Sequence, residues 1–152
     1  MIDLKEGDKA PDFLKDYSGI TESDIKGKKV ILYFYPKDST PGCTVEACNL
    51  RDNYEDLKAK GFEVIGVSPD SEKRHENFKE KNELPFKLIP DTEKEILEEY
   101  GVWGEKKMYG KTYMGVFRTT FIINEEGIIE KIIKKVKTKD HTNQIYTELG
   151  IV

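Results

Sequence analysis

Apolar residues in this chain fall into two alternating patterns, and the alternation predicts the fold. Lys29 to Tyr35 carries the continuous run Val30-Ile31-Leu32-Tyr33-Phe34-Tyr35, which suits a strand buried on both faces. Pro36 ends it. From about Thr40 to Lys60 the period changes: Val45, Cys48, Leu50, Tyr54 and Leu57 fall near i, i+3/4 positions. That spacing predicts one helix, with Gly61 as its C-terminal stop. The alternation then repeats. Phe62 to Val67 reads as a second buried strand, and Ser71 to Asn82 as a polar helix with Phe78 as its apolar contact. Phe86 to Ile89 is a short strand and Thr92 to Tyr100 a short helix. Arg118 to Asn124 and Ile128 to Val136 are strands joined by Glu125-Glu126-Gly127, whose glycine suits a tight hairpin. A last helix runs from about Thr138 to Leu149. Residues 1–28 mix Gly7, Pro11, Gly19 and Gly27 with few apolar residues, and read as loops and short hairpin strands.

The order β-α-β-α-β-α-β-β-α describes an α/β fold, a central mixed β-sheet flanked by helices on both faces. A parallel β-α-β start followed by an antiparallel hairpin and a final helix is the thioredoxin-like arrangement. No repeat, low-complexity tract or linker interrupts it, so residues 1–152 are expected to form a single domain. The longest apolar runs are about six residues, too short to span a bilayer. Met1-Ile2-Asp3-Leu4-Lys5-Glu6 lacks a basic start and an apolar core, so a cytoplasmic chain with reduced thiols is expected.

Charge narrows the function. With 25 Lys+Arg against 29 Asp+Glu the net charge is −4, which gives no electrostatic case for nucleic acid or membrane partners. The Lys-rich run from Lys131 to Lys139 reads as a solvated face. Two cysteines in 152 residues are not a disulfide framework, so they are read as chemical groups. Of the basic residues only Arg51, Arg74 and Arg118 are arginines, so a geometric reason is sought for each.

The segment between the first long strand and its helix runs from Pro36 to Cys48. Thr40 suits the N-cap and Pro41 the first helical position. Cys43 then lies in the first turn, where free N–H groups and the helix dipole favour a thiolate. Position alone leaves open a small buried thiol with no reactivity. Cys48 follows five residues later, about 140° around the axis and 7.5 Å along it, giving Cα atoms about 8–9 Å apart. A disulfide needs about 7 Å or less, so the two can pair only if the first turns unwind. That spacing argues against a plain disulfide exchanger.

Here the sequence resembles a family. Pro36-x-x-x-Thr40-x-x-Cys43 is similar to the active-site signature of peroxiredoxins. Thr40-Pro41-Gly42-Cys43-Thr44-x-Glu46-Ala47-Cys48 resembles the bacterioferritin-comigratory-protein/PrxQ subfamily. Val67 to Ser71, Gly101 to Lys106, Gly110 to Gly115 and Arg118 to Ile123 resemble it too, so the likeness covers essentially the whole chain. One departure is Asp12 to Lys26, a few residues shorter than usual. The resemblance implies that Cys43 is the peroxidatic cysteine and Cys48 the resolving one. It also implies that Thr40 and Arg118 hold the peroxide oxygens and the thiolate. Pro36 and Pro41 would shield a substrate pocket that Gly42 and Glu46 also border. The implied activity is reduction of hydrogen peroxide and organic hydroperoxides, with thioredoxin or an equivalent dithiol as reductant, in a monomer or weak homodimer. No cofactor motif is present in the sequence.

Residue chemistry agrees for Arg118, a permanent cation whose planar fork can contact a sulfur anion and an oxygen together. Glu46, one turn after Cys43, has two readings: it orients Arg118, or it is a carboxylate favoured by the helix N-terminus. His75 and His141 lie far from the cysteines, in polar helical stretches, so no clustered Cys/His metal site is expected. Trp103, Tyr109, Tyr113 and Phe117 are read as packing residues before pocket residues. Lowering a thiol pKa fully below neutrality gains at most roughly thirty-fold, about 2 kcal/mol. Larger acceleration needs peroxide orientation and charge stabilisation by Thr40, backbone N–H groups and Arg118. The alternatives are a thiol–disulfide oxidoreductase and a non-catalytic redox sensor.

Overall fold

A computed structural model describes residues 3–14 and 20–151. Five strands form one sheet in the order β3-β2-β1-β6-β7: β1 (Lys29–Phe34), β2 (Phe62–Ser68), β3 (Lys87–Pro90), β6 (Thr119–Ile123) and β7 (Ile129–Ile133). β1, β2 and β3 run parallel, while β6 pairs antiparallel with β1 and β7 antiparallel with β6. The thioredoxin-like mixed sheet expected from the sequence is therefore observed. No helix among the described residues is long and apolar enough to cross a membrane.

Strand alternation explains the continuous apolar run. Ile31, Tyr33 and Tyr35 face one core, packed against Cys43, Ala47 and Leu50 of α2 (Pro41–Asp52), Phe78 of α4 (Glu72–Asn82) and Ile145 of α6 (His141–Leu149). Val30, Leu32 and Phe34 face the other, with Ile96 and Leu97 of α5 (Glu95–Glu99), Tyr100 and the N-terminal Phe13. Both faces are covered, so polar alternation is absent. Gly66 in β2 is demanded by this packing. A Cβ there would lie 2.7 Å from Leu88 Cδ2 and 2.8 Å from the Tyr33 ring.

Three sequence expectations need correction. The helix expected over 40–60 is two, α2 and α3 (Tyr54–Ala59), divided at Asn53. Asn53 has φ −109° and ψ 8°, and its amide donates to the Asn49 carbonyl at 2.8 Å. A side chain bonding the backbone four residues back offers the chain an alternative to continuing the ladder. Second, β4 (Trp103–Met108) and β5 (Lys111–Val116) form a separate hairpin that the sequence reading missed. Its residues are mostly exposed or half-buried, so no apolar face marks a period, and Tyr109-Gly110 turns with φ 52° and 77°. Third, the described part of 1–28 contains no hairpin. It holds an isolated bridge of Lys9 to Ile128 and a single helical turn, α1 (Glu22–Ile25). Residues 15–19 of the expected hairpin lie outside the described residues.

The other boundaries shift by a few residues. The final helix begins with a 3-10 turn at 138–140. Two arginines gain geometric reasons. Arg51 Nη1 donates to the Asn82 carbonyl at 2.8 Å, capping the end of α4. Arg74 pairs with Asp70 at 3.3 Å.

Gly66→Ala is expected to lower the unfolding free energy by about 1–3 kcal/mol through overpacking against Tyr33 and Leu88. Urea unfolding checks this; an unchanged midpoint would show that both side chains give way freely.

Candidate active site

The loop between β1 and α2 is held by buried polar groups. Asp38 is 2% exposed, and its carboxylate accepts from Tyr35 Oη at 2.6 Å and lies 2.6 Å from His75 Nδ1. Its backbone N–H donates to Asp70 Oδ2 at 2.7 Å. Ser68 Oγ donates to that same oxygen at 2.8 Å, and His75 Nε2 lies 3.0 Å from the Ile89 carbonyl. These bonds tie the ends of β1 and β2 to α4. They also hold Ser39 in the left-handed region, φ 64°, a cost for a residue with a Cβ. Among the described residues Asp38, Asp70 and His75 are the group able to converge on a metal, with ligand atoms within 4.8 Å of one another. Their atoms are already bonded to one another and to Tyr35, Ser68 and Ile89.

Thr40 then takes the N-cap position of α2 and Pro41 the first helical position. The Thr40 hydroxyl, however, does not cap. It donates to the Lys37 carbonyl at 2.8 Å, while the Thr40 carbonyl accepts from the Thr44 N–H and hydroxyl. Cys43 is third in the helix and 1% exposed. Burial excludes water from its sulfur, while the free N–H groups of the first turn favour a negative charge there.

Arg118, just before β6, reaches this turn. Its Nη2 donates to Cys43 Sγ at 3.3 Å and its Nη1 to Glu46 Oε1 at 2.6 Å. Glu46 thus does contact Arg118, the first of its two sequence readings. Gly42 permits the approach, since a Cβ there would stand 3.3 Å from Nη2. Burial opposes the Arg118 charge, but Glu46 and Cys43 beside it outweigh this and hold its proton more firmly than usual. Pro36 is half-buried after β1, and Pro41 is exposed on the outer side of the helix start. Cys48 lies on the same helix, its thiol facing Asn82 Oδ1 at 3.8 Å, and both cysteines are free.

Cys43, Glu46 and Asn49 recur at three-residue steps on one side of α2. Asn49 Oδ1 accepts from the Thr142 N–H at 2.8 Å and so docks the start of α6. That contact brings His141 to Glu46, 3.6 Å from Nε2 to Oε2. Both histidines, read from sequence as polar helix residues, are therefore buried. Sequence reasoning missed His141, Thr120 beside it, and the Asp38–His75 pair. Thr120 and His141 are 21 residues apart in the chain and Asp38 and His75 are 37 apart, so no local spacing reports them. Of the four aromatics read as packing residues, Tyr109 is 97% exposed. Phe117 instead lines a cavity of about 800 Å³ with Lys106, Arg118, Lys135 and Val136.

Burial pushes the Glu46 carboxyl up to about 7, against the pull of Arg118. Burial likewise pushes His141 down to about 4, while the Gln144 contact opposes it and Arg118 adds to it.

A cysteine at a helix N-terminus, bonded by an arginine from just before a strand of a thioredoxin-like sheet, is an arrangement that suits thiol-redox chemistry. The comparisons give the family. The AhpC/TSA family profile matches residues 6–132. Peroxiredoxin Bcp of Bacillus subtilis (strain 168) is 53% identical over 141 residues, 91% of this chain and 90% of that one. Peroxiredoxin Bcp of Escherichia coli (strain K12) is 46% identical over 144 residues, 93% and 92% of the two chains. Among solved structures, a cysteine-to-serine variant of Xylella fastidiosa PrxQ superposes with a TM-score of 0.86 at 30% identity, covering 97% of this chain and 96% of that chain. Bacterioferritin comigratory protein of Xanthomonas campestris, studied for its alkyl peroxide reduction activity, gives 0.80 at 35% identity over 86% and 82%. The chain belongs to the AhpC/TSA family, as a peroxiredoxin of the Bcp/PrxQ type.

The opposed shifts of Glu46 and His141 make a stability prediction. Glu46 has an ordinary value of 4.5 and His141 of 6.5. Between those values the folded pair holds one proton, on Glu46, and the unfolded pair also holds one, on His141. The pair therefore adds no slope to stability in this window. Glu46→Gln removes the compensating carboxyl, leaving a histidine that is neutral when folded and charged when unfolded. Stability relative to wild type is expected to fall by on the order of 2–3 kcal/mol as pH drops from about 7 to 4.5. Urea unfolding at the two pH values measures it, and parallel pH profiles would refute the assignment.

Proposed function

We propose that this peroxiredoxin reduces hydrogen peroxide and organic hydroperoxides through Cys43 as the peroxidatic cysteine. The observation that carries this reading is the 3.3 Å contact of Arg118 Nη2 with Cys43 Sγ at the start of α2. The Cys43 thiolate attacks one peroxide oxygen and the O–O bond breaks. The sulfur is oxidised to sulfenic acid, and the other oxygen leaves as water or alcohol after taking up a proton. Arg118 and the first-turn N–H groups stabilise the charge that develops as the bond breaks. Thr40 holds the peroxide in line, which requires its hydroxyl to exchange the Lys37 carbonyl for substrate. Pro36, Pro41 and Gly42 border the pocket in this reading, whereas Glu46, fully buried behind Arg118, does not.

Cys48 is the resolving residue in this reading. Its position on the same helix, with Cα atoms about 8–9 Å apart by helix geometry, requires the first turns to unwind before it can attack the sulfenic sulfur. The attack forms the disulfide and releases water. Thioredoxin or a similar dithiol then reduces the disulfide, in the cytoplasm, acting on a single domain that is a monomer or weak homodimer. The alkyl peroxide reduction ascribed to the Xanthomonas campestris relative supports the substrate class. The same spacing disfavours a thiol–disulfide oxidoreductase.

Cys43→Ser is expected to abolish peroxide consumption with thioredoxin or dithiothreitol as electron source. Cys48→Ser should keep the first oxidation and accumulate a sulfenic acid that dimedone traps. Arg118→Lys, which loses the planar fork, should slow the peroxide step by about 10²-fold. Full turnover in Cys43→Ser would sink the proposal, as would a sulfenic acid formed equally fast by the lysine variant.

A further inference from the structure

Behind Arg118 lie two buried groups that the peroxide chemistry above leaves idle. Glu46 gives Oε1 to Arg118, while Oε2 is buried and has no hydrogen-bond partner among the described residues. It faces His141 Nε2 at 3.6 Å. The orientation of that ring is set from its far side. Gln144 Nε2 donates to the Lys135 carbonyl at 2.8 Å, and Gln144 Oε1 accepts from the Lys137 N–H at 2.9 Å. That same oxygen lies 2.9 Å from His141 Nδ1. Oε1 can only accept, so Nδ1 carries the ring proton and donates. The neutral ring then presents a lone pair at Nε2, which accepts from the Thr120 hydroxyl at 2.8 Å and also points at Glu46. Nε2 is thus engaged, and Oε2 is the acceptor left without a partner among the described residues; a proton on Oε2 removes the buried charge there.

We propose that Glu46 carries a proton on Oε2, facing His141 Nε2, and that its presence releases the charge of Arg118 to the Cys43 thiolate. Without that proton the Glu46 carboxylate neutralises the guanidinium that also contacts the sulfur. With it, the guanidinium charge faces sulfur alone. Charge conservation links the two sites. The set Cys43, Arg118, Glu46 and His141 is neutral as thiol with ionised Glu46, and equally neutral as thiolate with protonated Glu46. The sulfur keeps its electron pair as its proton leaves, the pair gains a proton, and the buried net charge stays at zero, the arrangement a low-dielectric site favours. When the leaving oxygen takes up a proton, the pair can return one and Glu46 ionises again. Neither residue touches Sγ, so both act through Arg118 as positioning residues.

The surrounding groups do not supply another acceptor. Around Glu46 stand Cys43 on α2, Arg118 before β6, His141 on α6 and Tyr33 on β1. Burial, and then Glu46 and Cys43, hold the Tyr33 proton well above its usual range, so Tyr33 stays neutral. Asp38 acts on Tyr33 from beyond the end of β1 and is engaged by Tyr35 and His75. The upward displacement of Glu46 to about 7 and the downward one of His141 to about 4 agree with a proton resting on the carboxyl side.

The inference rests on Cys43 being the reacting sulfur, but its first test does not. Full-length reduced protein labelled with 13C-carboxyl glutamate is titrated by NMR. One carboxyl is expected to titrate near pH 7. Its signal should vanish in Glu46→Gln, and in His141→Gln, whose amide can donate to Oε2, its midpoint should fall by about one unit or more. In the Cys48→Ser background, the rate of Cys43 with hydrogen peroxide is then followed by stopped flow from about pH 6 to 8. Glu46→Gln keeps an uncharged group between Arg118 and His141, so its rate should vary little over that range. His141→Gln should lose several-fold in rate toward the alkaline end of that range, where its Glu46 has given up the proton that the wild type still partly holds, and least at the acid end. The absence of any glutamate titrating above about pH 6 overturns the proton on Glu46, even if neither variant folds. So does a neutral-range titration that survives in Glu46→Gln or is unmoved in His141→Gln. A protein that shows the shifted carboxyl but consumes no peroxide overturns the peroxidase reading alone.

Discussion

The carboxylate of Asp38 is the constraint on which the site depends. It is a buried negative group at the end of the central strand, and such a group survives only when its lone pairs are engaged. Tyr35, His75 and the backbone bond to Asp70 engage this residue from three elements at once. The arrangement forces the chain through Ser39 in a left-handed conformation and into Thr40 and Pro41. The direction of α2, and hence the place of Cys43, follows from that anchoring. Little of this uses the cysteine itself.

The second requirement is that charge arrive from elsewhere in the chain. A helix N-terminus supplies only partial charges. Arg118 supplies a full one, but a guanidinium beside a buried sulfur needs its own counter-charge. Glu46 meets that need from the same helix, and α6 closes over it through Asn49, Thr142 and His141. The site is thus a short electrostatic chain from sulfur to imidazole, built from α2, the residue before β6 and the start of α6. Glycine at 42 lets the links approach; a larger residue would hold the arginine off.

Much of this was legible in the sequence because the central strands are apolar on both faces and the helix around Cys43 has ordinary start signals. The family resemblance pointed to Thr40, Cys43 and Arg118, from separate blocks of the chain, and the structure brings Cys43 and Arg118 into contact. What escaped had no local signal. The β4–β5 hairpin is polar on both sides, so its period is silent. Asn53 breaks a helix whose apolar spacing continues through it. His75 and His141 sit among polar residues and are buried by partners far along the chain. Thr40 suits a cap by sequence, but Lys37 offers its hydroxyl a carbonyl that no spacing rule announces.

The pairing of β1 with β6 has one more consequence. Tyr33 lies opposite Thr120, and Ile31 opposite Ile122. Ile122 packs with Cys43 in one core, so Thr120, two residues earlier, shares that face, and Arg118, two earlier again, enters from it. A slip of one residue in this antiparallel ladder would bury the wrong half of β6 and aim both polar groups at the opposite layer. The sheet therefore proofreads the Cys43–Arg118 contact. A chain that assembles its strands out of step cannot bring the guanidinium to the sulfur, so that contact is acquired together with correct registration and not before it.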